Sequence, residues 1–410
     1  MIKKEEILVG LEVGTSKTCA VVGEVTGDGN LLIVGIGQAS SQGVRKGEIV
    51  DMEAAAQSIH QAIAEAEDAA EVEIHNVYAS VTGGHIRCFN NRGSIVITNE
   101  DREITEAEVR SVMQNAKAVN IPVENVVIHA IRQHFFVDGH NGITNPVGMI
   151  GAKLEADVHV IHGVRTRLQN TIKCIKEVPL DVANIAVSSL ASALAVLTTE
   201  DQQLGALVID MGGGTTDYLA YANGTIEHSG VIAVGGDHIT NDIAIGLRIP
   251  IPRAEKLKIE HGSVQWPVED EIITLKADLG LPDRQVSKEQ LCHIMNLRVE
   301  ETLRLVRKEL DRQNLLPYLR AGVFITGGCA RLKGLEPLAQ EIFGLPVHIG
   351  HSHTINGPTS AIESPEYSTA IGLLRFALSQ HQGQHRPPTL GDRIGQTFHT
   401  FIQRARALFM

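Results

Sequence analysis

No stretch of this 410-residue chain approaches the ~20 consecutive apolar residues that a membrane-crossing helix requires. The N-terminus, Met1-Ile2-Lys3-Lys4-Glu5-Glu6, lacks the apolar run of a signal peptide and leads straight into a strand pattern, so export is not expected. Cysteine is sparse. Cys19, Cys88, Cys174, Cys292 and Cys329 are scattered, odd in number and without a CxxC pair, which speaks against a disulfide framework or zinc ribbon and fits a reducing cytoplasm. Positive charge is in deficit: 36 Lys and Arg against 48 Asp and Glu give a net charge of −12, and no basic patch interrupts the pattern, so no nucleic-acid partner is expected. His348, His351 and His353 are the one dense histidine group. With no carboxylate or thiol beside them, they read as a loop rather than a metal site.

What is present is a composition with 43% hydrophobic residues, ample for large cores in two or three domains. Two segments are built alike: Leu8-Val9-Gly10-Leu11-Glu12-Val13-Gly14-Thr15-Ser16-Lys17-Thr18 and Leu207-Val208-Ile209-Asp210-Met211-Gly212-Gly213-Gly214-Thr215-Thr216-Asp217. Each is an apolar strand ending in a carboxylate, then glycine and hydroxyl residues, then a second strand, over 19–25 and 218–221. Such a turn presents successive backbone N–H groups as a concave nest for phosphate. Two nests face to face would clamp a polyphosphate. Glu12 and Asp210 would then lie beside the phosphates, where a hydrated divalent cation makes the negative groups compatible.

A third element, Val323-Phe324-Ile325-Thr326-Gly327-Gly328-Cys329-Ala330-Arg331-Leu332, is again a strand opening on two glycines, which would bring bare backbone against a flat adenosine ring. Glu255 and Lys258 share one helix face by their i,i+3 spacing, and either reach ribose and base or form a solvated salt bridge.

The periodicity places an Ala-rich helix at 52–70 among short strands in residues 1–83, the pattern of layered α/β packing. Residues 84–165 read as an insertion: a strand pair around 86–98, a helix over 105–119 capped by Thr105 with Glu108 three residues on, then further strands. Helices follow at 165–176 and 190–197. A helical hairpin-like region is expected over 252–314 and a last core helix over 364–378, before a polar, proline-terminated linker at 379–389.

Beyond the linker, residues 390–410 read as an amphipathic helix. At 100° per residue, Leu390, Ile394, Phe398, Phe401, Ile402, Leu408 and Phe409 fall on one side, while Arg393, Arg404 and Arg406 fall on the other. Separated from any core, this stripe is expected to lie in the interface of an anionic membrane, since three arginines and an aspartate make spanning costly.

The paired turns and Ile325-Thr326-Gly327-Gly328 resemble the actin, sugar-kinase and heat-shock-70 ATPase superfamily. Within it, Gly10-Leu11-Glu12-Val13-Gly14-Thr15, the segment from Asp138-Gly139 through Asn145-Pro146-Val147-Gly148-Met149-Ile150-Gly151-Ala152-Lys153-Leu154-Glu155, and the amphipathic tail resemble the FtsA family of bacterial cell-division proteins over essentially the whole chain.

That resemblance implies an α/β fold of the actin-like, duplicated ribonuclease H-like kind with an FtsA-type 1C insertion and a C-terminal amphipathic helix. Subdomain 1A would comprise 1–83 with 166–196 and 356–378. Subdomain 1C would be 84–165, 2A would be 197–245 with 309–355, and 2B would be 246–308. It further implies ATP between the halves, contacted by Gly14, Thr15, Ser16 and Lys17, by Asp210, Gly212, Gly213, Gly214, Thr215 and Thr216, by Gly235, Gly236, Glu255 and Lys258, and by Gly327, Gly328 and Arg331. Mg2+ would be held by Glu12 and Asp210 through water. Family partners would be further copies in protofilaments, anionic lipids at the cytoplasmic side of the inner membrane, later division proteins through 1C, and the C-terminal peptide of FtsZ on a 2B helix carrying Ile294, Arg298 and Glu301.

One departure bears on chemistry. Ser188 stands where the family commonly has a glutamine or glutamate that orients the attacking water, so ATP turnover is expected to be weak at most. Two rivals share the superfamily. A sugar or acid kinase needs a base opposite the γ-phosphate, and none is read near either turn. A type IV pilus assembly protein resembling PilM has an FtsA-like core, but the tail and the 146–148 segment favour the division reading.

Overall fold

Two five-stranded sheets share one topology. In the first, the order is Leu31–Ser40, Lys17–Val25, Glu6–Val13, Asn76–Val81, Asp181–Val187; in the second it is Thr225–Ile232, Thr216–Ala222, Ala206–Met211, Gly322–Thr326, Val347–Ile349. Each begins as a three-stranded antiparallel meander and is extended by two parallel strands. Parallel strands need crossovers, and helices supply them: Met52–Ala70 before Asn76–Val81, Arg165–Glu177 before Asp181–Val187, and Leu335–Phe343 before Val347–Ile349. The computed structural model describes residues 6–385 except 268, 270, 277–282 and 354. The amphipathic stretch expected at 390–410, with Leu390, Ile394, Phe398, Phe401, Ile402, Leu408 and Phe409, lies outside the described residues.

The central strand of the second sheet, Ala206–Met211, is buried throughout because helices cover both faces, hence its continuous apolar run. Helix Ser188–Val196 is buried on nearly all sides and lies between the sheets' cores. Against it runs the last described helix, Ser368–His385. The two approach at backbone distance: a β-carbon on Gly372 would overlap the Ala191 carbonyl.

Between strands of the first half sits a smaller unit. Its antiparallel sheet has the order Arg87–Val96, Lys153–Val164, Asn125–Val137, His140–Ile143, with helix Glu106–Lys117 on one face and a separate core of Ile104, Val109, Val112, Leu154 and Val158. The helix starts at the expected capping box, Thr105 with Glu108.

Four local expectations change. The strand pair around 86–98 is one ten-residue strand, Arg87–Val96, whose partner is the distant Lys153–Val164, a long-range pairing that local pattern does not reveal. The expected helical hairpin over 252–314 is helix Ile251–His261, then a small β-hairpin (Ile272–Leu275 with Arg284–Ser287), then the 25-residue helix Lys288–Arg312. The strands after the two turns start earlier than read, at Lys17 and Thr216. The last core helix starts at Ser368, after a 3-10 turn at Pro365–Tyr367, and runs to His385, so the first part of the expected linker is helical.

Candidate functional site

The two turns repeat one another in hydrogen bonding. Gly14 N donates to Lys17 O at 2.9 Å, and Gly212 N donates to Thr215 O at 2.9 Å. Strand register makes Glu12 face Cys19 and Asp210 face Asp217. The turns also meet: a β-carbon on Gly213 would overlap Ser16 Oγ, and one on Gly214 would overlap Thr15 Oγ1. None of Gly14, Gly212, Gly213 or Gly214 has a positive φ, so glycine is required at 213 and 214 by closeness of approach, not by left-handed backbone. Behind the second turn, Gly236 N and Asp237 N at the start of helix Gly236–Leu247 donate to the carbonyls of Gly212 and Gly213 (2.9 and 2.8 Å).

Between the turns lies a cavity of about 470 Å³. It is lined by Glu12, Gly14, Thr15, Ser16, Lys17, Asp210, Gly212, Gly213, Gly214, Thr215, Gly236, Glu255, Lys258, Gly327, Gly328 and Arg331. Two sequence-predicted residues are not in the wall. Thr216 is wholly buried, its hydroxyl donating to Val234 O (2.8 Å), and Gly235 sits behind the second turn against Gly212 and Gly213.

Three of the carboxylates in the wall stand on the strands that carry the two turns. Glu12 pairs with Lys17 Nζ at 2.9 Å. Burial holds its carboxyl above the ordinary range, Lys17 opposing this and Asp210 adding to it. For Lys17, burial opposes the charge, but the adjacent Glu12 outweighs it and the ammonium is held charged. Asp210 Oδ2 accepts from Ser192 Oγ (2.5 Å) and Thr369 Oγ1 (2.7 Å); burial raises its carboxyl and these two bonds offset part of the rise. Asp217 Oδ1 accepts from Thr82 Oγ1 at 2.6 Å. Burial, then the Asp210 charge, push Asp217 up to about 7.

At the other end, Gly327 has φ 83° and packs where any β-carbon would overlap Asp210 Oδ1, while Gly328 faces open space. Glu255 and Lys258 do form a salt bridge (2.7 Å), and they do so inside the cavity wall, with Thr240 bonded to both. Arg331 is held by both oxygens of Glu366, at 2.6 and 3.0 Å. Ser188, at the head of its helix, is buried in the wall and donates to Val81 O at 3.4 Å.

Sequence reasoning missed Thr82, Asp217, Asp237, Glu366 and Thr369, which also line the cavity. The expectation of no base near either turn is corrected by Asp217, the last residue of the second motif. Thr82 also had a signal. Val81-Thr82-Gly83-Gly84 follows the first parallel strand of its sheet as Ile325-Thr326-Gly327-Gly328 follows that of the other, so the third motif is duplicated as well. Glu366 and Thr369 carry no local signal; only the fold brings them in.

The helix expected to receive a partner peptide ties its residues into the fold. Ile294 packs on Gly246, and Arg298 is bound to Asp242 Oδ2 (2.5 Å) and to Glu301. Its open face carries Leu297, Arg304, Leu305 and Lys308 together with Glu301, which stays exposed there. Among the described residues, no helix is long and apolar enough to cross a membrane.

The duplicated sheets and the cleft between them define the class as the actin-like ATPase fold. Solved structures of that kind superpose on the chain: the PilM-PilN type IV pilus biogenesis complex (TM-score 0.65, 15% identity, 90% of this chain and 98% of that one) and MreB5 of Spiroplasma citri bound to ADP (TM-score 0.54, 18% identity, 90% and 96%). At such identities the likeness speaks for the fold alone. The family model described as cell division protein FtsA matches residues 207–372, and that of the SHS2 domain inserted in FtsA matches 83–162. Cell division protein FtsA of Pseudomonas aeruginosa is 39% identical over 381 residues (92% of this chain, 91% of the relative); that of Escherichia coli K12 is 36% identical over 392 (93% and 93%), and that of Bacillus subtilis 33% over 388 (94% and 86%). The chain belongs to the FtsA family of cell division proteins.

Proposed function

We propose that the cavity binds ATP with Mg2+ and that the chain serves cell division by polymerising on the inner face of the cytoplasmic membrane, where it ties FtsZ to the bilayer and recruits later division proteins. The observation that carries the nucleotide reading is the opposition of the two turns, Thr15 and Ser16 against Gly214 and Gly213, across a cavity whose far end opens at Gly328. The metal reading fits the donor set. Glu12, Asp210 and Asp217 offer oxygen only, as a hard cation requires, and Lys17, Ser192 and Thr369 already engage part of that oxygen, which suits contact through water. Bound there, Mg2+ would neutralise charge on the polyphosphate.

Lys17 and the backbone N–H groups of both turns would hold the phosphates, and Glu255, Lys258 and Arg331 would meet the nucleoside. Hydrolysis is weak in this reading: Ser188 is short and directed at a backbone carbonyl, leaving Asp217 as an acceptor beside the second turn. Subdomains follow the boundaries given above, with self-association between copies, the FtsZ peptide on the 246–308 region and the 390–410 stretch in the membrane interface. Membership in the FtsA family over the chain's length favours this over a PilM-like role, for which the support is fold likeness. Calorimetry of ATP binding, together with co-sedimentation with FtsZ polymers and with anionic vesicles, tests the parts separately. Phe398→Glu with Phe401→Glu should abolish vesicle binding and spare ATP binding; vesicle binding at the wild-type level would assign the tail to another partner.

A further inference from the structure

We propose that the hydrogen bond between Tyr78 and His381 is a latch on the last turns of helix Ser368–His385, and that filling the nucleotide cavity loosens it. The inference rests on the nucleotide reading above and concerns what that site controls.

Two elements run from the cavity to this bond. The first is strand Asn76–Val81, whose next residue, Thr82, donates to Asp217 Oδ1 at 2.6 Å. The second is helix Ser368–His385, whose second residue, Thr369, donates to Asp210 Oδ2 at 2.7 Å. Asp210 and Asp217 are direct neighbours across the second turn's strand pair. At the distal end, Tyr78 OH and His381 Nε2 lie 2.9 Å apart, with Tyr78 edge-on to Phe376 on the same helix. The path is therefore closed: carboxylate pair, strand, latch, helix, and back to the carboxylate pair. From Thr369 to His381 it covers about 18 Å of helix, and from Thr82 to Tyr78 about 13 Å of strand.

The helix root is held by groups that a nucleotide would re-partner. Lys17 Nζ donates to Glu366 O (2.7 Å) and lies over the Tyr367 ring, and Arg331 binds the Glu366 carboxylate. Gly327 N and Thr326 Oγ1 both donate to Pro365 O (3.1 and 3.0 Å), so the adenosine-side turn grips the same segment. Phosphate competes for Lys17, the nucleoside competes for Arg331, and a hydrated cation draws on Asp210 and Asp217. The strand and the helix are attached to different carboxylates, so they shift relative to one another. Close packing leaves little slack in between: β-carbons on Gly10 and Gly372 would overlap the carbonyls of Ala370 and Ala191. The helix therefore carries a displacement at its root to its end.

Linkage makes this testable from both ends, because a ligand that weakens the latch must bind more tightly when the latch is removed. Hydrogen–deuterium exchange of the full-length chain, with and without saturating Mg·ATP, reads the amides of 378–385. Exchange there should rise on the order of three- to tenfold with nucleotide, the worth of about one hydrogen bond. Tyr78→Phe keeps the ring against Phe376 and removes the hydroxyl. It should show the raised exchange without nucleotide, no further rise with it, and ATP affinity increased by the same factor. His381→Gln provides a second variant should Tyr78→Phe fold poorly. If calorimetry shows ATP binding while wild-type exchange at 378–385 is unchanged, the latch is refuted and the cavity reading stands. If ATP does not bind, it is the cavity reading that fails.

Discussion

Ser16 on the first turn and Gly213 on the second stand so close across the cavity that a β-carbon at 213 would overlap the Ser16 hydroxyl oxygen. Neighbouring Gly212 is different: a β-carbon there meets only the Thr215 carbonyl oxygen at 3.3 Å, and its φ is not positive. Gly213→Val should therefore drive the turns apart, with a steric cost of roughly 1–3 kcal/mol and a loss in ATP affinity of about five- to a hundredfold by calorimetry. Gly212→Val should cost clearly less. Equal losses at the two positions would mean that the turns do not face each other as described.

Asp217 supplies a pH signature. Its folded-state value is raised from 3.8 to about 7, so between those values the folded chain binds a proton that the unfolded chain does not. Its ionisation therefore subtracts stability as pH rises, the loss becoming complete above about 7. Asp217→Asn keeps an acceptor for Thr82 and removes the charge. Urea unfolding should find the variant more stable by roughly 4 kcal/mol at pH 8 and by less than half of that at pH 5. A gain independent of pH would assign the effect to packing and not to charge.

Sequence carried the duplicated turns because phosphate nests depend on local residue types, and it carried helix Met52–Ala70 because an amphipathic helix is written in consecutive residues. What it hid is long-range. The partner of Arg87–Val96 lies some sixty residues on, beyond any local pattern. Glu366 and Thr369 reach the cavity only because helix Ser368–His385 is laid against Ser188–Val196. Arg298 illustrates the converse. Its spacing on the helix was legible, but Asp242, which occupies it, comes from another helix.

Ser188 offers a gain-of-function test. Its hydroxyl is engaged with Val81 O, and the space beyond it belongs to the cavity shared with Asp217 and Thr82. Ser188→Gln would extend an amide toward that space. Single-turnover measurements should show faster ATP hydrolysis with little change in ATP affinity. An unchanged rate would mean that water placement does not limit the reaction.

Acid should open the seam between the small inserted sheet and the second half. His159, wholly buried on strand Lys153–Val164, bonds Asn90 Oδ1 through Nδ1 (2.6 Å) and Ser229 Oγ through Nε2 (2.9 Å), joining its own sheet to strand Thr225–Ile232. Burial, reinforced by His228 and His129, lowers its value to about 3, and burial alone lowers His129 to about 4. Both groups are thus neutral when folded and take up protons on unfolding below 6.5. Their contribution is intact above that value and is lost progressively as pH falls toward 3 to 4. At pH 5, His159 alone should account for roughly 2 kcal/mol of the loss relative to pH 7.5. His159→Gln retains polar atoms for the two partners but cannot titrate. Urea unfolding of this variant should show a shallower decline between pH 7.5 and 5, by about that amount. A decline as steep as that of the wild type would mean that His159 is not the group that charges, and that the acid sensitivity of the seam arises elsewhere.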